Sequence, residues 1–437
     1  MIGGSPGKIL SRLDLQVKYC QITTYDRARK FRPHLSAGAI IGRLGCGPQG
    51  QMSQDGCGNR LRASSIRVKR SKRKADSSCL AALARRNDNI WKKQRAPRPL
   101  ELTRMKRIVR VCLAGLCLVA VSLAITGALY ETIGRWRDTQ RFPQRGHLVQ
   151  AGSIRMNIDC SGKGSPTVIL ESGSGGPSID WLMVQPEVAK FARVCSYDRA
   201  GYGWSDSGPE PRSSLQIARE LKQLLEAAGE KGPYILVGHS MGGYDTRVYT
   251  GLYPSDVAGM VLVDASHEDQ DVRAPESIRK WSEDHRRHPG WKKLKYFFQL
   301  HFGWARLTAD GDSPAFWPKA FRDEENFLTL PTKHQFAVID EDQVFSTLSA
   351  AHVRSAGTLG DRPLIVLTAT TQDDIAPEIP PSDAQAEEDL WVQQLQPQLA
   401  RLSTHGKQIV VDSSHEMPIE HPEVVIAAIH EVWLAAH

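Results

Sequence analysis

The sequence predicts an α/β fold, a mostly parallel sheet flanked by helices, preceded by a transmembrane helix and a disordered basic N-terminal arm. Three observations predict it. Short apolar runs alternate with helical patterns from about residue 146 onward. A stretch without charge lies at 111–130. The residues before it hold no sustained apolar period.

The 437 residues are 41% hydrophobic and 24% charged, which argues against wholesale disorder, collagen and a multi-span channel. Eight cysteines are too few for a disulfide scaffold. The net charge of +8 hides two blocks: 1–104 carries 23 Lys+Arg against 6 Asp+Glu, and the rest carries 33 against 42. A basic arm is joined to an acidic body.

The arm, 1–104, is rich in Gly, Ser and Arg and contains the run Arg67-Val68-Lys69-Arg70-Ser71-Lys72-Arg73-Lys74. It buries too little apolar surface to offset chain entropy and is expected to be disordered. Such a run can face nucleic acid or anionic lipid. The plainer expectation is a solvated tail, or a stretch upstream of a start at Met105, and nucleic acid is not the expected partner. Cys46 and Cys57 lack the spacing and histidines of a zinc site, and no metal is expected.

The transmembrane helix or signal anchor is expected over 105–130. Val111 to Tyr130 has no charged residue, and twenty helical residues span ~30 Å, the thickness of the hydrocarbon core. Lys92, Lys93, Arg95, Arg98, Arg104, Lys106, Arg107 and Arg110 crowd the N-terminal flank. Arg135, Arg137, Arg141 and Arg145 on the other side are diluted by Glu131 and Asp138. That asymmetry favours a cytoplasmic N-terminus and an extracytoplasmic body, periplasmic in a bacterium. Thr126-Gly127-Ala128 also satisfies a small-residue cleavage rule, which would make the body secreted; an uncleaved single-pass anchor is preferred. A linker is expected at 131–145.

Strands follow. Leu148 to Gln150 and Ile154 to Asp159 form a hairpin around Ala151-Gly152-Ser153. Short buried runs come at Thr167 to Leu170, Val194 to Tyr197, Tyr234 to Val237, Met260 to Val263, Leu364 to Leu367 and Gln408 to Val411. Between them Ile217, Leu221, Leu224, Leu225 and Ala228 share a helix face closed by Gly229, and a last helix opens at Pro422.

Gly238-His239-Ser240-Met241-Gly242 fits Gly-x-Ser-x-Gly, a weak pattern alone. Its context strengthens it: Tyr234-Ile235-Leu236-Val237 runs straight in, and Gly243-Tyr244-Asp245-Thr246-Arg247-Val248 leads out as a helix. Glu171-Ser172-Gly173-Ser174-Gly175-Gly176 follows the third strand, Tyr197-Asp198-Arg199-Ala200-Gly201-Tyr202-Gly203-Trp204-Ser205 the fourth, and Asp412-Ser413-Ser414-His415 the last. With these motifs the stretch from Gly146 to Ala436 resembles the α/β-hydrolase superfamily, serine esterase or lipase-like, with a lid insertion.

The resemblance implies an α/β-hydrolase fold with core at 146–266 and 356–437 and a helical lid at 267–355. It implies Ser240 as nucleophile, His415 as acid–base, and the amides of Met241 and Ser174 as oxyanion hole. For the acid it points first to Asp373, after the penultimate strand, with Asp374 beside it and Asp264, after the sixth strand, as rival. Ser172 departs from the histidine of many relatives. Serine at the elbow excludes the aspartate-dependent dehalogenase and epoxide-hydrolase chemistries. The fold's second and fourth strands are antiparallel neighbours, so Cys160 and Cys195, the only cysteines beyond 130, are candidates for a disulfide in an oxidising compartment. Trp281, Trp291, Tyr296, Phe297, Phe298, Phe302, Trp304, Phe316 and Trp317 concentrate in the lid; most are expected as its core, a few as an acyl pocket. The expected function is hydrolysis of a small-molecule ester or acyl substrate through an acyl-enzyme, without cofactor, on a protein held in a lipid bilayer by 111–130. A non-catalytic ligand-binding protein on the same fold is the alternative.

Overall fold

The computed structural model describes Arg85, 99–309, 317–371, 376 and 378–437. Most of the arm expected at 1–104, and Phe316 in the insertion, lie outside the described residues. The described residues fall into two units, divided within the first helix after Val119. The sheet and everything packed on it belong to the second, which holds Ala120–His437.

Helix α1 is Pro99–Arg141. Within Thr103–Arg141 an 18-residue window reaches a mean hydropathy of 2.5 with none of it buried, and the helix is long and apolar enough to cross a membrane. The helix does not end at Tyr130: residues 131–141, expected as linker, continue it. The charged residues Glu131 and Asp138 fall on one face two turns apart, where both are bonded by Arg306 of the insertion. Pro143, two residues past the last helical one, cannot donate to a further turn.

The sheet contains β1 (His147–Ala151), β2 (Ile154–Ser161), β3 (Thr167–Glu171), β4 (Val194–Tyr197), β5 (Tyr234–His239), β6 (Val257–Val263), β7 (Leu364–Ala369) and β8 (Gly406–Val411). Their order is β1-β2-β4-β3-β5-β6-β7-β8. β1 and β2 pair antiparallel, as do β2 and β4; every other pair is parallel. Central strands read as unbroken apolar runs because both faces are covered. Ile169, Leu236, Met260, Leu262 and Val366 face one layer, formed by α2 (Ser214–Ala227) and α3 (Gly242–Leu252). Val168, Leu170, Ile235, Val237, Val261, Val263 and Leu367 face the other.

Between β6 and β7 lie α4 (Glu276–Arg286), α5 (Pro289–His301), α6 (Trp304–Thr308), α7 (Lys319–Thr329), α8 (Thr332–Val344) and α9 (Ala350–Ser355). Between β7 and β8 come α10 (Pro381–Leu390) and α11 (Gln396–Ala400), and α12 (Pro422–Ala435) closes the chain. Val425, Ala428, Ile429 and Val432 of α12 cover the second sheet face. Single turns join these elements. Cys160 and Cys195 are directly opposite in the β2–β4 register and are joined by a disulfide.

Candidate active site

Ser240 follows β5 without a spacer, and only Met241 separates it from α3, so the chain turns within two residues. Its φ of 52° is a left-handed conformation that a side chain adopts only under strain. Ladder bonds hold it there: its N–H donates to Val263 O (3.1 Å), and its carbonyl accepts from the amides of Gly243 and Ser266 (3.0 Å each). The glycines are steric necessities. A Cβ at Gly242 would lie 2.7 Å from the carbonyl oxygens of Glu171 and Ser172, and one at Gly238 would lie 2.6 Å from Gly242 O. The elbow is thus pressed against the loop that carries Ser174.

His415 lies in the loop after β8. Its Nδ1 donates to Asp264 Oδ2 at 2.6 Å, and its carbonyl accepts from His239 Nε2 at 2.9 Å. Asp264 is fully buried immediately past β6, with φ 40°. Its other oxygen accepts from the Ala369 amide (3.0 Å) and Trp391 Nε1 (2.8 Å). Three donors converge on this carboxylate. Asp373 and Asp374, placed ahead of it by the sequence, lie outside the described residues, and the acid that meets His415 is the rival Asp264.

Ser240 and His415 line two cavities. One, of about 180 Å³, is walled by Ile278 and Trp281 of α4, Trp391 and Glu387. The smaller, of about 60 Å³, runs between Ser174 and Asp180. Met241 is buried behind Ser240, and Ser174 is exposed at the opposite rim. The groups around the site are kept mostly neutral by burial. The His239 imidazole is held down at about 3 by desolvation, with His415 adding to it. The Asp180 carboxyl is pushed well up by desolvation, then by Glu416. Glu387 is pushed up to about 7 by desolvation, then by Asp271.

A charged cluster braces the loop from behind. Arg199 donates to the carbonyls of Ser172 (2.6 Å) and Gly173 (2.7 Å), to Glu171 (2.8 Å) and to Glu341 of α8 (3.2 Å), all buried. Tyr202 completes it, donating to Glu341 (2.6 Å) while its oxygen accepts from the Gly175 amide (3.0 Å). Arg199 and Tyr202 stand in the sequence motif after β4, but their partner Glu341, 142 residues beyond Arg199, gives no local signal. His239, inside the Gly-x-Ser-x-Gly stretch, anchors the His415 backbone.

Cys160, Cys195 and Glu230 are close enough to suggest metal ligands, but the sulfurs are disulfide-bonded and Glu230 is paired with Arg193. They do not form a metal site.

A family model described as "Alpha/beta hydrolase family" matches residues 168–428. Over 181 residues the chain is 32% identical to an uncharacterized vacuolar membrane protein of Saccharomyces cerevisiae (strain YJM789), covering 35% of this chain and 28% of that one. It spans between 20% and 28% of the length of three curated relatives that it matches. An alpha/beta hydrolase structure from Nostoc sp PCC 7120 superposes with a TM-score of 0.53 at 17% identity, over 66% of this chain and 97% of that one. An epoxide hydrolase solved without ligand gives 0.51 at 15% identity, over 67% and 99%. At such identities the likeness is one of fold.

Proposed function

The chain belongs to the alpha/beta hydrolase family, and from that premise we propose that it is a serine hydrolase cleaving carboxylic esters through an acyl-enzyme. Ser240 is the nucleophile, His415 the acid–base and Asp264 the orienting carboxylate. The observation that carries the reading is the 2.6 Å bond between His415 Nδ1 and Asp264 Oδ2, made by a ring that lines the same cavities as Ser240.

With its Nδ1 proton committed to Asp264, the neutral imidazole carries its lone pair on Nε2. The Ser240 hydroxyl attacks the ester carbonyl carbon and gives its proton to Nε2. The amides of Met241 and Ser174 receive the oxygen that becomes negative. The intermediate collapses, the C–O bond to the alcohol breaks, and the imidazolium returns the proton to the leaving alkoxide. Water then repeats the sequence on the acyl-enzyme and releases the acid. The ion pair with Asp264 stabilises the imidazolium without taking its proton.

We also propose that α1 anchors the protein in a membrane with the body in an oxidising compartment, a reading supported by the apolar helix and the disulfide.

A fluorophosphonate probe and a p-nitrophenyl ester assay test the chemistry on the full chain in detergent. Wild type is expected to label covalently and turn over; Ser240→Ala and His415→Ala are expected to do neither. A serine inert to every such electrophile, in a protein whose melting temperature still rises with an ester ligand, would make this a binding protein.

A further inference from the structure

The insertion meets α1 along a close seam. A Cβ at Gly127 would collide with the Phe302 carbonyl, and one at Gly303 would lie 2.8 Å from the Tyr130 ring and 3.0 Å from Gly127 O. One at Gly134 would lie 2.6 Å from Arg306 Nε. Arg306 in turn bonds Glu131 (2.9 Å) and Asp138 (2.5 Å). Positions 127, 131, 134 and 138 form one helical face, docked on the corner between α5 and α6.

That seam fixes depth. Gly127 lies three residues, ~5 Å, inside the end of the uncharged run that closes at Tyr130. Whatever surrounds α1 at that level also surrounds the α5–α6 corner. The corner is dressed for it: Trp291 (71% exposed), Phe298 (51%), Trp304 (59%) and Leu307 (65%) turn outward, with Leu294 and Phe297 beside them. Leu129, Ile133 and Trp136 of α1 are exposed at the same level, on the helix face turned away from the seam. Trp291, Leu294 and Phe298 recur at helical spacing on one face of α5, while Tyr296 and Leu300 turn inward to the insertion's own core. Soluble proteins rarely expose so contiguous an apolar surface. Tryptophan-rich faces of this kind suit the boundary between acyl chains and headgroups.

We propose that the α5–α6 corner is a second, monotopic membrane-contacting surface that lies in the leaflet interface at the C-terminal end of the α1 span. The occupant is the bilayer, chosen over a protein partner because the corner that bears the patch is docked on α1 at a fixed depth along it. The proposal rests on the anchoring role proposed for α1, not on the hydrolase chemistry.

The test uses the full chain reconstituted in phosphatidylcholine vesicles. The six cysteines outside the Cys160–Cys195 pair are replaced by serine, and an environment-sensitive fluorophore is attached to a cysteine at Phe298→Cys, Leu307→Cys or, as an exposed control, Lys231→Cys. Labels at 298 and 307 are expected to be quenched at least about threefold more than the control by nitroxide-bearing lipid, and to be shielded from iodide. Quenching and iodide access equal to the control would overturn the proposal. So would shielding accompanied by self-quenching that grows with protein concentration, since the cover would then be a second copy. A conservative pair, Trp291→Phe with Trp304→Phe, guards against misfolding of the labelled forms: it is expected to remove part of the native tryptophan quenching by the same lipid, and unchanged quenching counts against the proposal. A further label at Val121→Cys, inside the span, separates the premises: if it also escapes lipid quenching, α1 itself is not in the bilayer, and it is the anchoring premise that fails.

Discussion

At Asp264 every polar atom of the side chain has a donor: His415 on one oxygen, Ala369 and Trp391 on the other. Asp264→Asn keeps the shape but puts an amide where His415 donates, so the ring turns or changes tautomer. Turnover of a p-nitrophenyl ester is expected to fall roughly 10³–10⁴-fold with the melting temperature little changed. Asp373→Asn is expected to stay near wild type; the opposite order of the two variants would return the role to Asp373. Glu387 supplies a pH signature. Its carboxyl is raised to about 7 by burial and then by Asp271, so the folded state keeps a proton that the unfolded chain releases near its ordinary value. Stability therefore falls as pH rises between about 4.5 and 7. Glu387→Gln is expected to flatten that slope, melting above wild type at pH 8 and level with it at pH 4. Parallel melting curves at both pH values would refute the assignment.

The elements show which parts of this architecture local sequence carries. Parallel strands buried on both faces announce themselves as short apolar runs, so β3 through β8 were legible, with ends extended by up to three residues. The elbow was legible because a strand, a small-residue turn and a helix follow in immediate succession. The acid was not. β6 and β7 both run into a stretch carrying aspartate, and only the three-dimensional reach of His415 separates them. The Arg199 cluster was equally invisible, since its charges come from β3, the loop after β4, and α8. Glu171 is pushed up by burial against the pull of Arg199, the mark of a pair that would be costly to break. Arg199→Met leaves Glu171 and Glu341 without their cation and is expected to cost ~3–5 kcal/mol. Adding Glu171→Leu and Glu341→Leu is expected to restore part of that loss in urea denaturation, which a purely steric role for Arg199 would not do.

Across the whole molecule, charge and covalent chemistry agree with the anchoring proposed for α1. The basic excess is confined to the segment before the apolar run, and the acidic excess to the part that carries the sheet. The Cys160–Cys195 bridge closes a separation of 35 residues, which the chain-entropy account values at about 3–4 kcal/mol. Cys160→Ser with Cys195→Ser is expected to lower stability by about that amount while labelling by the fluorophosphonate persists. Mass spectrometry of non-reduced peptides checks the bridge directly, and two alkylatable thiols in protein from an oxidising compartment would contradict it.

The same Arg199 that holds the carbonyls of Ser172 and Gly173 reaches outward to Glu341 and, through Tyr202, to the amide of Gly175. Anything that tugs on α8 is therefore felt by the very backbone that would cradle a negatively charged oxygen. Excising residues 267–355 would not merely uncover a cleft but cut the stay that keeps its rim taut, so a minimal catalytic core of this protein has to carry α8 with it.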